Sequence, residues 1–220
     1  MAAGDVSKLL NGNVRTLIDE SLSDITVDAG TFFTNTDVYN ALTNAQREVV
    51  KFAYAKFIST GKLSDCLGTI RTESTALSVL FAGTTPYAWA EVPTNFLYLI
   101  SARYSITSVW HGVGIVHKNP DFESRYINNV YATPTASDPI GWLESSNINF
   151  IPTNGTTAYI TYLKDPGVIS ASADPLVLAS VYKALVNYAV AEVLMRERIP
   201  EALQQSALLF KEFLDEMQLL

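Results

Sequence analysis

The spacing of apolar residues changes twice along this chain. From the start to about Ser64 it is helical: Val14, Leu17, Ile18, Leu22 and Ile25 recur at helix intervals. A second, longer helix is predicted where Val38, Leu42, Ala45, Val49, Phe52 and Ala53 step along one apolar face. Asn35 or Thr36 can cap its first turn, Asp37 suits the positive N-terminal end, and Gly61 stops it. From about Arg71 to Pro166 the runs become short and β-rich: Tyr87–Val92, Phe96–Ile106, Ile148–Ile151 and Ala158–Leu163. Thr153-Asn154-Gly155-Thr156 holds an Asn-Gly pair, the strongest short hairpin signal, and predicts that Asn147–Ile151 pairs with Thr157–Leu163. Gly112 and Gly114 mark a bend between strands. Helix returns after Asp174-Pro175, which reads as a cap with a first-turn proline. Leu178, Tyr182, Leu185, Ala189 and Val193 form one stripe. Pro200 breaks that helix and starts another, striped by Leu203, Ala207, Phe210, Leu214 and Met217.

This order predicts an α+β protein. Residues 1–66 and 171–220 supply the two parts of one helical bundle, and residues 67–170 form a small antiparallel β domain inserted between them. None of the apolar runs reaches the ~18 residues a membrane span needs, and the N-terminus lacks a signal-peptide pattern, so a soluble protein made in a cytoplasm is expected.

Composition sharpens the picture. Of the 220 residues only 17% are charged, against about 25% usually, while 48% are apolar. Between Arg71 and Pro166 there are 12 charged residues, yet all three tryptophans fall there. So little charge implies that much of the surface is covered by partners. A net charge of −7 disfavours a phosphate-binding surface, because nucleic-acid affinity rests on clustered Lys and Arg.

Reactive constellations are sparse. Cys66 is the sole cysteine, so there is no internal disulfide, and its pairing with His111 or His117 fits no local signature. Those two histidines alone make no metal cage. Gly112-Val113-Gly114 lacks the third glycine and the following helix of a phosphate loop. No cofactor is implied. Asp121, Glu123 and Glu144 lie near Trp110 and Trp142, which leaves open a glycan-binding or glycan-cleaving module built on Trp110, Trp142 and Glu144. Arg47, Lys51 and Lys56 share one side of the second helix, either as a solvated face or as contacts to an acidic partner subunit.

What remains is aromatic and apolar. Trp89, Tyr98, Tyr104, Trp110, Tyr126, Tyr131 and Trp142 crowd a zone too small to bury them all, and Tyr and Trp without charge are the composition of interface cores. Trp89, Trp110, Tyr131 and Trp142 are therefore candidate partner contacts. Leu219 and Leu220 join them, since they end the chain on two large apolar residues.

Several segments, in order, resemble the head-to-tail adaptor (connector) proteins of tailed bacteriophages. Asn40-Ala41-Leu42-Thr43-Asn44-Ala45-Gln46 is similar to that family's "Leu-Asn-x-Ala-Gln" helix. Val92-Pro93-Thr94-Asn95-Phe96 resembles its "Leu-Pro-x-Asp/Asn-Phe" step into a strand. Phe150-Ile151-Pro152 and Tyr159-Ile160-Thr161-Tyr162-Leu163-Lys164-Asp165-Pro166 resemble its Pro-ended hairpin, and Tyr188-Ala189-Val190-Ala191 its last helical signature. The resemblance implies a non-enzymatic virion protein without cofactor or membrane contact. It also implies a ring, commonly dodecameric, that sits on the portal protein at the head–tail junction, meets tail or nozzle proteins, and lets genomic DNA pass without sequence-specific binding.

Overall fold

The computed structural model describes residues 3–22, 33–129, 131, 133–196 and 200–219. The chain folds as two compact units: Met1–Ile70 together with Asp165–Leu220, and Arg71–Lys164. The α+β class read from the sequence holds, with helices at both ends and strands between. The crossings fall near Ile70 and Asp165 rather than at residues 67 and 170. Cys66, Leu67 and Ile70 are buried in the helical unit, and the Ile169 N–H donates to the Thr43 hydroxyl there at 3.0 Å.

The helical unit comprises α1 (Asp5–Leu22), α2 (Asn35–Thr60), α3 (Tyr182–Arg196) and α4 (Pro200–Leu219). The N-cap of α2 is Thr34, one residue before the expected cap. Its hydroxyl accepts from the Asp37 N–H, and the Asp37 carboxylate accepts from the Thr34 N–H at 2.9 Å, which completes a capping box. Gly61 ends the helix at φ 71°, a left-handed conformation that costs glycine nothing. Ile25, assigned by spacing to the first helix, lies outside the described residues.

α3 departs from the single stripe predicted for it. Ala184, Leu185, Val186, Ala189, Val190 and Val193 are buried all round its circumference, because α1, α2 and α4 pack against it from different sides. Leu178 precedes the helix and is 40% exposed. The predicted stripe of α4 holds at Met217, which is buried, and at Phe210, which packs on the Tyr188 ring at 5.2 Å, but the rest of the inward face is rotated from it. Ala202, Ser206, Phe213 and Met217 face inward, while Leu203, Leu208 and Leu214 are exposed. Ser206 hid this face from the apolar count. It is small enough for close helix approach, and its hydroxyl donates to the Ala191 carbonyl at 2.9 Å.

Asp174 does not cap the helix that follows it. Its carboxylate accepts from the Gly4 N–H at 3.1 Å and from the Ser7 N–H at 2.8 Å, so it caps α1 from the far end of the sequence. Two buried polar residues of α2 hold the same returning segment: Thr43 binds Ile169, and the Gln46 side chain accepts from the Leu176 N–H at 2.6 Å.

The β unit contains β1 (Arg71–Glu73), β2 (Leu77–Ser78), β3 (Ala88–Glu91), β4 (Phe96–Ile106), β5 (Val109–Gly112), β6 (Gly114–Ile115), β7 (Ile140–Glu144), β8 (Asn147–Ile151) and β9 (Gly155–Lys164). One sheet runs β1-β9-β4-β5, with β2 also on β9; the other runs β3-β8-β7-β6. All pairs are antiparallel except β6 with β7, which is parallel. Inward residues from both sheets, among them Tyr104, Ile106, Ile148, Phe150, Ala158 and Ile160, share one core. Tyr104 and Phe150 stack across it at 4.5 Å.

The predicted hairpin of β8 with β9 does not form. The two strands lie in different sheets, and Pro152–Asn154 carries the chain from one to the other. Tyr104 fixes that corner: its hydroxyl donates to the Pro152 carbonyl at 3.1 Å and accepts from the Gly155 N–H at 2.9 Å. Its ring lies so close to Gly155 that a Cβ there would fall 2.2 Å from it. Asn-Gly serves here as a crossover. The tight hairpin turns are instead Thr107-Ser108, at φ 49° and 67°, between β4 and β5, and Ser145-Ser146 between β7 and β8.

Two tests follow from these contacts. Gly155→Ala forces the Tyr104 ring aside and should cost about 1–3 kcal/mol by urea unfolding; Tyr104→Phe, which strips two buried hydrogen bonds, should cost a similar amount. Backbone N–H donors hold the Asp174 carboxyl below its ordinary value. Its contribution is therefore complete above about pH 4, the usual aspartate value, and is lost as the pH falls through the lowered native value. Asp174→Ala should lower the melting temperature at pH 7 by several degrees and flatten the acid side of the stability profile, with Asp174→Asn milder. Equal melting temperatures for wild type and Asp174→Ala would contradict the cap.

Candidate functional site

The sequence-predicted site residues separate by burial. Trp142 is a core residue, 1% exposed, and this corrects its place among the surface candidates. It belongs to a second apolar cluster with Phe122, Ile140 and Ile151, meeting Phe122 at 4.6 Å and the Tyr87 edge at 5.2 Å. Alternation in β7 turns it away from the inter-sheet core, and the turn at Glu123–Ile127 helps to cover it. Tyr104 is likewise fully buried.

Trp110 is exposed. It lies on β5, packed on Tyr159 of β9 at 5.1 Å, and the Arg103 guanidinium sits over both rings at 5.9 and 5.4 Å. Arg103 also pairs with Glu73. Ala102 and Tyr104 point into the core, so alternation sends Arg103 outward between them. Trp, Tyr and Arg, rigid and rich in contact area, are the side chains that carry binding energy at interfaces. Here they form one patch. Tyr131 is fully exposed, and Leu219 is 88% exposed at the end of α4. Leu220 lies outside the described residues.

Trp89 lines a different feature, a cleft of about 350 Å³ shared with Tyr87, Glu144, Asn147 and Asn149. Glu144 is ion-paired with Lys118 at 2.8 Å. That pairing holds its carboxyl below the usual range and pushes the Lys118 ammonium up. A glutamate kept ionised in this way is poorly suited to act as a general acid at neutral pH. Glu144 is also the one carboxylate in the cleft lining, whereas glycoside cleavage uses two. Trp110 lies in the other sheet and Trp142 inside the core, so Trp110, Trp142 and Glu144 do not form the glycan site they suggested.

Cys66 is buried beneath the Ser64 hydroxyl, and burial pushes its thiol up, away from the thiolate form a nucleophile needs. It belongs to the helical unit, while His111 and His117 belong to the β unit. Among the described residues no group of three or more His, Cys, Asp or Glu is placed to hold a metal, and no helix is long and apolar enough to cross a membrane.

Sequence reasoning missed two features of the helical unit. One is a groove of about 690 Å³ between α1, α3 and α4, floored by Leu10, Leu17, Val186 and Leu209 and walled by Glu20 and Glu212. It opens because α1 and α4 both pack on α3 but scarcely on each other. The other is the exposure of Leu203 and Leu214 on α4, two positions of the stripe predicted to face inward.

The chain thus forms two compact units that expose apolar and aromatic groups, among them Trp110, Tyr131 and Leu219. The sequence model of the SU10 adaptor protein family matches residues 5–220, across both units. No curated protein matches. The chain belongs to the SU10 adaptor family, a family of phage head-to-tail adaptors, and is thus a structural component of the virion at the head–tail junction.

The contrast between tryptophans can be measured. Trp142→Ala should cost about 3–5 kcal/mol by chemical unfolding, as for a large aromatic removed from a core. Trp110→Ala should cost no more than about 1 kcal/mol, the value of its ring contacts at the surface. Comparable losses at the two positions would contradict the assignment of one to the core and the other to the patch.

Proposed function

We propose that this protein forms a closed ring, a dodecamer, that attaches to the portal protein and offers tail or nozzle proteins a platform. Genomic DNA passes through the lumen without sequence-specific binding. The chain is made in the host bacterial cytoplasm and joins the virion at the portal vertex. The observation that carries this reading is the family match over both units, which makes the whole chain an adaptor.

Physical features support it. A cyclic ring uses two unlike surfaces on every subunit, and low charge with exposed apolar groups is what such a subunit needs. The helical unit holds sixteen carboxylates against ten cations, and the β unit six against five. A lumen lined by such a chain repels phosphates and lets DNA slide. The Trp110–Tyr159–Arg103 patch, Trp89, Tyr131 and the Leu219–Leu220 end are the proposed contacts to portal, tail or neighbouring subunits.

Purified protein incubated with portal-bearing heads and imaged by electron microscopy tests this reading. One ring per portal vertex is expected, with the free chain monomeric or weakly associated. A stable dihedral tetramer, or no attachment, would overturn it. The C-terminal contact has its own measurement. Deleting residues 218–220 removes the exposed bond from the Lys56 ammonium to the Gln218 carbonyl and trims the frayed last residues of α4, so thermal stability should hardly change. Attachment to heads should weaken, because each buried leucine contributes roughly 1.5–3 kcal/mol before ordering costs. Undiminished attachment would leave the end without that role.

A further inference from the structure

The Asn-Gly pair that reads as a hairpin signal also carries a chemical hazard. Glycine has no Cβ, so its backbone nitrogen stands unhindered beside the asparagine amide and invites spontaneous deamidation. The pair occurs twice, at Asn11-Gly12 and Asn154-Gly155. At the second, the Gly155 nitrogen gives its proton to water and attacks the Asn154 Cγ. A succinimide ring closes as the N–Cγ bond forms and the Cγ–Nδ2 bond breaks, and the amide leaves as ammonia with a proton from water. Water then opens the ring at either carbonyl, to aspartate or to isoaspartate, which lengthens the backbone. The chain must therefore supply a Gly155 nitrogen free to lose its proton. It must also turn about the Asn154 Cα–C bond until that nitrogen meets Cγ.

Both requirements fail in the folded chain. Asn154 is exposed, but Gly155 is buried, and its N–H donates to the Tyr104 hydroxyl at 2.9 Å. That hydroxyl is fixed in turn by donating to the Pro152 carbonyl at 3.1 Å. Tyr104 is fully buried and stacked on Phe150 at 4.5 Å, so its ring has no room to follow a turning peptide. The same ring is the reason the hazard exists. A Cβ at residue 155 would fall 2.2 Å from it, so glycine is the residue that fits after Asn154. We propose that Asn154 is a latent deamidation site whose rate Tyr104 sets, by holding the Gly155 nitrogen protonated and the peptide unturned. The side chain that demands the glycine also disarms it. Asn11-Gly12 provides the contrast: it lies inside α1, in the helical unit, and owes nothing to Tyr104.

Peptide mapping by mass spectrometry on the full chain in mildly alkaline buffer tests this. Unfolded in guanidinium chloride, the chain should convert both pairs; folded wild type should convert each far more slowly. Tyr104→Phe keeps the ring and removes the hydroxyl. It should retain the wild-type circular dichroism yet convert Asn154 about tenfold faster, the factor that about 1.4 kcal/mol of lost hydrogen bonding gives, with Asn11 unchanged. That faster rate should stay flat in denaturant below the unfolding transition, because release of the Gly155 N–H is local; a route through unfolding steepens with denaturant. A measurement on the wild type needs no variant: the Gly155 amide should rank among the slowest of the β unit in hydrogen exchange. Rapid exchange there, folded wild type converting Asn154 as fast as the unfolded chain, a Tyr104→Phe rate equal to that of wild type, or a rate that climbs with denaturant would each overturn the proposal.

Discussion

The middle of α3, from Ala184 to Leu194, buries apolar side chains on every side of the helix, and the rest of the helical unit follows from that. A helix apolar around its circumference is stable only when other helices surround it. The three that do so come from opposite ends of the sequence: α1 and α2 from the beginning, α4 from the end. The chain ends must therefore meet, and whatever lies between them must leave and return as a closed excursion. The β unit is that excursion.

Polar groups then fix how the ends meet. Asp174 reaches back to the first turn of α1, and Thr43 and Gln46 bind the segment that leads into α3. Each satisfies a backbone N–H that is otherwise left without a partner, so register errors between the two halves carry a desolvation cost. Gln46 lies within the stretch that resembles the adaptor helix signature. Its buried position supplies a structural reason for that residue type there.

The elements with strong local signals were legible in the sequence. β4 runs from Phe96 to Ile106, the span its β-rich residues suggested, and Gly61 and Pro200 mark helix ends. What escaped were partners chosen by tertiary contacts. Asn154-Gly155 carries a hairpin signal, but the Tyr104 ring claims the space beside the glycine and the chain changes sheets instead. Asp174-Pro175 carries a helix-start signal, but the Asp174 carboxylate serves a helix 170 positions away. On α4 a serine took an inward position and leucines took outward ones, so periodicity alone rotated the face. Among the site candidates, aromatic composition flagged Trp110 and Trp142 alike; strand alternation and neighbouring rings, visible only in three dimensions, separated them.

The first and last strands of the β unit are neighbours: Arg71 pairs with Leu163 where β1 meets β9. Entry to the unit and exit from it are thus one strand spacing apart, about 5 Å. To the helical unit, the whole of Arg71–Lys164 is equivalent to a short, already closed loop, and it adds little chain-closure entropy whatever its length. Such a unit can be lost, lengthened or exchanged for another with adjacent ends without altering the spacing the helices must bridge. Descent could therefore keep one unit while recasting the other, and the two can follow separate rates of sequence change.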